Sequence, residues 1–258
     1  MESSEGQRRL ILVIPCYNEA ERLDLDALAA CPAPGYQIHL LLVNDGSTDR
    51  TLDRLESLRD RAPDRIEILD LQPNRGKAEA VRQGILRACA QEPDYAGFWD
   101  ADLATPLDEV PRFLAVLDTR PQIDMVFGAR VKLLGRLIRR KVYRHYYGRI
   151  LATAISILLN LGVYDTQCGA KIFRVRPGIA EIFASPFLSR WLFDVEIIAR
   201  YGRILEPRGL RLAEVIYEIP LREWRDIGHS KVRPRDAILA YADLARVYLR
   251  YLAKPWEK

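Results

Sequence analysis

Short apolar runs alternate with longer helix-like segments from residue 10 to residue 127, and that alternation leaves few architectures open. The runs at 10–14, 38–43, 66–69, 95–99 and 125–127 have strand length and are rich in Val, Ile, Leu, Tyr and Phe. Between them the sequence predicts helices near 20–30, 50–61, 77–90 and 107–117. Strand and helix in strict turn predict a mostly parallel sheet covered by helices on both faces. Pro32, Pro34 and Gly35 punctuate the first crossover, and Pro63 the second. The second half is less regular. It predicts helices near 150–161, 178–183 and 193–201, a strand near 212–219, a turn over 224–230 and a terminal helix over 235–252.

Composition narrows the class without naming it. A chain of 258 residues suits one α/β domain with a C-terminal appendage. With 49% hydrophobic and 29% charged residues it has an ordinary globular balance, and a net charge of +4 does not point to nucleic acid. Cys16, Cys31, Cys89 and Cys168 show no C-x-x-C spacing, which favours reduced cytosolic thiols over a disulfide frame. Residues 1–9 are polar and run straight into the first strand, so a short flexible N-terminus and no signal peptide are expected. No apolar stretch reaches the length of a membrane-spanning helix.

The most telling chemistry follows the fourth run. The segment 95–99 reads as a buried strand, and it ends in Asp100-Ala101-Asp102. In an extended backbone residues i and i+2 point the same way, so both carboxylates are expected to project together from the carboxyl end of a strand. Two hard oxygen ligands on one side suit Mg²⁺ or Mn²⁺. Other strand ends carry polar turns: Pro15-Cys16-Tyr17-Asn18-Glu19, Asn44-Asp45-Gly46-Ser47-Thr48-Asp49, and Asn74-Arg75-Gly76-Lys77 opening a helix. Ser47 or Thr48 is positioned to cap the helix beginning near Asp49.

These motifs, with Asp165-Thr166-Gln167-Cys168-Gly169-Ala170-Lys171, Arg190-Trp191-Leu192-Phe193-Asp194-Val195-Glu196 and Ser230-Lys231, resemble glycosyltransferase family 2. Within it the chain is similar to the polyprenyl-phosphate sugar synthases, the dolichyl-phosphate glucosyltransferase and mannosyltransferase group. The resemblance runs from residue 10 to 232, with the motifs in family order. It implies a GT-A fold over 10–233, carrying a basic membrane-facing insert at 131–164, with a C-terminal helix over 234–258. It implies an inverting, metal-dependent transfer of a hexose from a nucleoside diphosphate sugar to a polyprenyl phosphate. The Asp165 and Arg190 motifs look closer to the glucosyl branch, hence UDP-glucose. GDP-mannose, a soluble acceptor and an idle sugar-nucleotide-binding module are the competing readings.

Roles follow from the same resemblance. Pro15, Tyr17 and Glu19 line the nucleoside pocket, with Asp45 accepting from the base at a turn position that buries little. Lys77 meets base or phosphates. Asp102, ahead of Asp100, holds the metal, with His229 a candidate third ligand against a plain surface histidine. Asp194 matches the family's base, set against a helix-face carboxylate paired with Arg190 or Arg200. A phosphate acceptor, already anionic, would leave Asp194 a positioning residue. Arg130 falls where the acceptor-phosphate arginine belongs, Gln167 near the sugar, and Ser230 and Lys231 on the diphosphate-closing loop. Trp191 offers a sugar platform or fills the core.

The segment 131–164 has no acidic residue and mixes Lys132, Arg136, Arg139, Arg140 and Arg149 with Leu133, Leu134, Leu137 and several tyrosines. Such a mixture suits an anionic membrane interface, or a charged helix packed on the domain. A nucleic-acid partner would explain none of the carboxylate motifs. The expected location is cytoplasmic, peripheral on the cytoplasmic face of the membrane.

Overall fold

The computed structural model describes residues 7–31, 34–139, 142–225, 227 and 234–253, with 139, 142–149 and 234–239 as backbone alone. Strands β1 (Arg8–Cys16), β2 (Tyr36–Asp45), β3 (Ile66–Leu71), β4 (Tyr95–Trp99), β5 (Met125–Ala129), β7 (Ala170–Arg174) and β8 (Ile216–Pro220) form one sheet in the order β3-β2-β1-β4-β7-β5-β8. β7 alone runs antiparallel to its neighbours, between β4 and β5. A separate parallel pair joins β6 (Leu137–Arg139) to β9 (Glu223–Arg225). The fold is α/β, as the alternation of strands and helices predicts.

Both sheet faces are covered, so central strands are apolar throughout rather than alternating. Ile11 and Val13 face one core with α3 (Lys77–Cys89), α6 (Ile179–Phe183) and α7 (Phe193–Leu205). Leu10, Leu12 and Ile14 face the other, with α2 (Thr51–Arg61) and α4 (Val110–Thr119). Gly84 sets the depth of α3, because a Cβ there would lie 2.3 Å from Val13 Cγ1. The C-terminal α9 (Pro234–Val247) packs through Leu244 and Val247 into the α7 core and runs into a π-helical turn (Tyr248–Leu252). No helix among the described residues is long and apolar enough to cross a membrane.

Several expected boundaries move. The helix expected over 20–30 shrinks to α1 (Leu25–Ala29), because the Glu19 carbonyl takes turn bonds from Arg22 and Leu23 and the Asp24 side chain then caps Ala27 N at 2.9 Å. Neither Ser47 nor Thr48 caps α2; the Asp49 carboxylate accepts from Thr51 N instead, at 3.0 Å. The strand expected over 212–219 opens as a helical turn, α8 (Leu212–Val215), fixed by Arg211 and Glu214. The helix near 150–161 is α5 (Val142–Leu159).

Candidate active site

The motif residues converge at the carboxyl ends of β2, β1 and β4, adjacent in the sheet. Asp45 ends β2 and is only 2% exposed. Its Oδ1 accepts from Arg75 N at 2.8 Å, and its Oδ2 from Gly76 N at 2.7 Å and Asn74 Nδ2 at 2.8 Å. This corrects the expectation of a lightly buried turn residue: Asp45 braces the 74–76 loop that launches α3. Arg190 reinforces the loop from outside, its Nε donating to Arg75 O at 3.2 Å. On the β1 side Glu19 is buried and paired with Arg22, while Pro15 and Tyr17 are half-buried. Asn18 and Thr48 cross-link the two strand ends, Thr48 N reaching Asn18 Oδ1 at 2.8 Å.

After Trp99 the chain turns at once. Leu103 N donates to Asp100 O at 3.1 Å, with Ala101 and Asp102 at the corner, and Trp99 Nε1 anchors the far side on Thr105 O at 2.7 Å. The two aspartates are therefore brought together by a tight turn and not by an extended strand. Asp102 Oδ1 accepts from Ala104 N at 3.0 Å, and among the described residues no hydrogen bond falls on Oδ2. Burial, with the Asp100 charge beside it, holds the Asp102 carboxyl above the usual carboxylate range. Asp100 Oδ1 pairs with the Lys77 ammonium. The Asp100 carboxylate lies flat on the backbone of Gly169, where a Cβ would come within 2.0 Å of Oδ2.

Behind this pair sits a second one. Lys171, on β7, is fully buried, and its Nζ donates to Asp194 Oδ1 at 2.5 Å, Cys168 O at 2.6 Å and Thr166 O at 2.9 Å. The rings of Phe98 and Phe127 flank the ammonium at 5.2 and 5.1 Å. Asp194, in the first turn of α7, is pushed above the usual carboxylate range by burial, against the pull of Lys171 and Lys77. Its partner is thus Lys171 and neither Arg190 nor Arg200. Glu196 is the residue that pairs with Arg200, at 2.8 Å, inside the α7 core.

Arg130, just past β5, forms a two-pronged pair with Asp165, Nε to Oδ2 at 2.6 Å and Nη2 to Oδ1 at 2.8 Å. The Trp224 ring lies 5.4 Å from the guanidinium. Although burial works against the charge, Asp165 keeps Arg130 above its ordinary value. Gln167 is half-buried beside this pair, its N–H on Asp165 Oδ1 at 3.2 Å. Trp191 is 38% exposed and so belongs to the surface around Arg190 and not to the core. His229, Ser230 and Lys231 lie outside the described residues.

The donor set of Asp100 and Asp102 is two hard oxygens, and among the described residues no His, Cys or further carboxylate completes a third ligand. That chemistry fits Mg²⁺ or Mn²⁺ sharing its shell with a bound phosphate, and does not fit a closed zinc site. The sequence places Gly169 in a loop near the sugar and gives Lys171, the last residue of the Asp165 motif, no role of its own. The one available signal was a lysine between Ala170 and Ile172 in an otherwise apolar run. An open groove of about 460 Å³ near the start of β3, lined by His39, Arg65 and Glu67, contains none of the motif residues.

Known proteins are similar to this chain in sequence and in fold. The profile of Glycosyl transferase family 2 matches residues 11–177. The dolichyl-phosphate beta-glucosyltransferase of Homo sapiens is 30% identical over 271 residues, covering 96% of this chain and 78% of that protein. Its Saccharomyces cerevisiae namesake is 30% identical over 263 residues, covering 94% and 75%. In fold, the chain is similar to glucosyl-3-phosphoglycerate synthase from Mycobacterium tuberculosis, solved with Mn²⁺, UDP and glucosyl-3-phosphoglycerate. The TM-score is 0.61 at 19% identity, over 95% of this chain and 80% of that one. S. aureus TarS, solved with UDP-GlcNAc, gives a TM-score of 0.58 at 18% identity, over 95% and 67%. With its GT-A architecture and a family profile matching 11–177, the chain is a glycosyltransferase and belongs to glycosyl transferase family 2.

Proposed function

We propose that this enzyme transfers glucose, with inversion, from UDP-glucose to a polyprenyl phosphate of the dolichyl type at the cytoplasmic face of a membrane. The observation that carries the reading is the meeting of Asp100, Asp102 and Lys77 at the carboxyl ends of the central strands, in a chain whose relatives named dolichyl-phosphate beta-glucosyltransferase align over nearly its whole length. Mg²⁺ or Mn²⁺ held by Asp102 and Asp100 would supply Lewis-acid stabilisation of the departing diphosphate. Asp45 shapes the nucleoside pocket by fixing the 74–76 loop, with Pro15, Tyr17 and Glu19 along its β1 side. Lys77 neutralises donor phosphate. Arg130, oriented by Asp165, meets the acceptor phosphate, and Gln167 and Trp191 border the sugar. Ser230 and Lys231 are assigned to the diphosphate by their motif alone. An acceptor phosphate is anionic at neutral pH and needs no base, so Asp194 orients the site without taking a proton. A donor screen tests the reading: UDP release from UDP-glucose should rise on adding polyprenyl phosphate. GDP-mannose preferred as donor, or a rate indifferent to the lipid, would overturn it.

Membrane docking rests on the segment after Arg130. Leu133 and Leu134 are 50% and 104% exposed at a turn closed by Arg136 N on Leu133 O at 3.1 Å, with Leu137 exposed beside them and Lys132 alongside. A leucine tip with Lys132 and Arg136 beside it suits an anionic lipid surface, where each Lys or Arg contributes about 1 kcal/mol. Replacing Leu133 and Leu134 with Ser should reduce sedimentation with anionic vesicles several-fold and leave UDP affinity unchanged. Raising salt should weaken binding of the parent. Vesicle binding equal to the parent's would assign the tip to the domain alone.

A further inference from the structure

Lys77 stands where an arriving divalent cation would meet Asp100. Its ammonium contacts Asp100 Oδ1, with the Asp102 and Asp194 carboxylates also near enough to act on it. Lys171 is fixed on Asp194 in the core, whereas the Lys77 side chain is partly exposed and so is the less enclosed of the two cations. Asp100 is held in place by its seat on Gly169. A doubly charged ion approaching Asp100 is repelled by the ammonium twice as strongly as a singly charged one at the same distance. A bound diphosphate changes the balance, because it offers the ammonium another anion within the sweep of a flexible four-carbon stem and gives the metal further oxygen ligands.

We propose that Lys77 is a resident counter-ion that keeps divalent metal out of the empty site and releases Asp100 only when a nucleoside diphosphate arrives. The inference rests on the donor-site reading above and adds an order to it: diphosphate and metal bind together, each strengthening the other through Lys77. Coupling of this kind is reciprocal, so removing its mediator must weaken the effect of UDP on metal and of metal on UDP alike.

Mn²⁺ binding to the full chain, read from the electron paramagnetic resonance signal of free Mn²⁺, tests this without turnover. The parent should bind Mn²⁺ weakly alone and at least about tenfold more tightly with UDP. Lys77→Met should bind Mn²⁺ alone at least about tenfold more tightly than the parent, with UDP adding little. Lys77→Arg keeps a cation and should behave like the parent without UDP. Lys77→Gln replaces the Met variant if the latter fails to fold in a melting curve. Mn²⁺ affinity in Lys77→Met no higher than the parent's would overturn the proposal while the donor site stands, provided the parent binds Mn²⁺ with UDP and Asp102→Asn does not. A parent that binds no Mn²⁺ even with UDP would remove the metal site and this proposal together.

Discussion

Asp102→Asn is expected to lower turnover at least about a hundredfold, the scale for losing a principal electrostatic stabiliser of a transition state. The substitution preserves shape. The Asn carbonyl oxygen can still accept from Ala104 N, so the turn that sets Asp100 beside it survives. Only the charge on Oδ2 is lost, and with it the attraction that competes with a cation's own hydration. Stability should move the other way. Because burial and Asp100 raise the Asp102 carboxyl in the folded chain, its ionised form costs stability at neutral pH. The folded parent binds protons there more readily than the unfolded chain does. Asp102→Asn should therefore melt at or above the parent temperature near pH 7. The difference should shrink as pH falls and the parent's Asp102 takes up its proton. Excess chelator should stop the parent as completely as the substitution does. Full turnover in either case would sink the metal role of this pair.

The strands that hold the site could be read because their ends are abrupt. Tyr95 to Trp99 is wholly apolar and stops at a carboxylate, and the sheet seats it between β1 and β7 as a buried strand. The geometry of the pair was another matter. A residue-by-residue alternation cannot reveal that Leu103 N closes a turn on Asp100 O, since that bond is set by the backbone angles at Ala101 and Asp102, after which Leu103 redirects the chain with a positive φ of 50°. Asp45 was legible as the polar end of β2 but not as a brace, because its donors at 74–76 come from the next crossover but one. β7 was missed for a related reason. Lys171 breaks its apolar run, and only Asp194, 23 residues later, makes a buried lysine there affordable. Long-range polar pairs carry no local period, so a pattern search passes over them.

That lysine is where the largest loss of stability is expected. Lys171→Met fills a similar volume but strands Asp194 in the core without its cation and leaves the carbonyls of Thr166 and Cys168 without a donor. Removing one partner of a buried pair costs about 3–5 kcal/mol, a large part of a domain's stability. The pH dependence carries the diagnosis. Asp194 already has a raised proton affinity from burial, and losing Lys171 raises it further. A carboxylate whose folded pKa lies above its unfolded value takes up its proton more readily when folded, so the variant should be least impaired in acid. Its deficit should grow as pH climbs through the raised value. Adding Asp194→Asn removes the stranded charge, so the double variant should regain much of the lost stability and flatten the pH profile. It should not regain activity, because the 166–168 loop and the first turn of α7 are no longer tied together beside Gly169 and the Asp100 carboxylate. Denaturant melts of the two variants from pH 4 to 8, read beside their turnover, separate the outcomes. A Lys171→Met chain as stable as the parent at pH 8 would show that the buried pair does not hold this side of the site together.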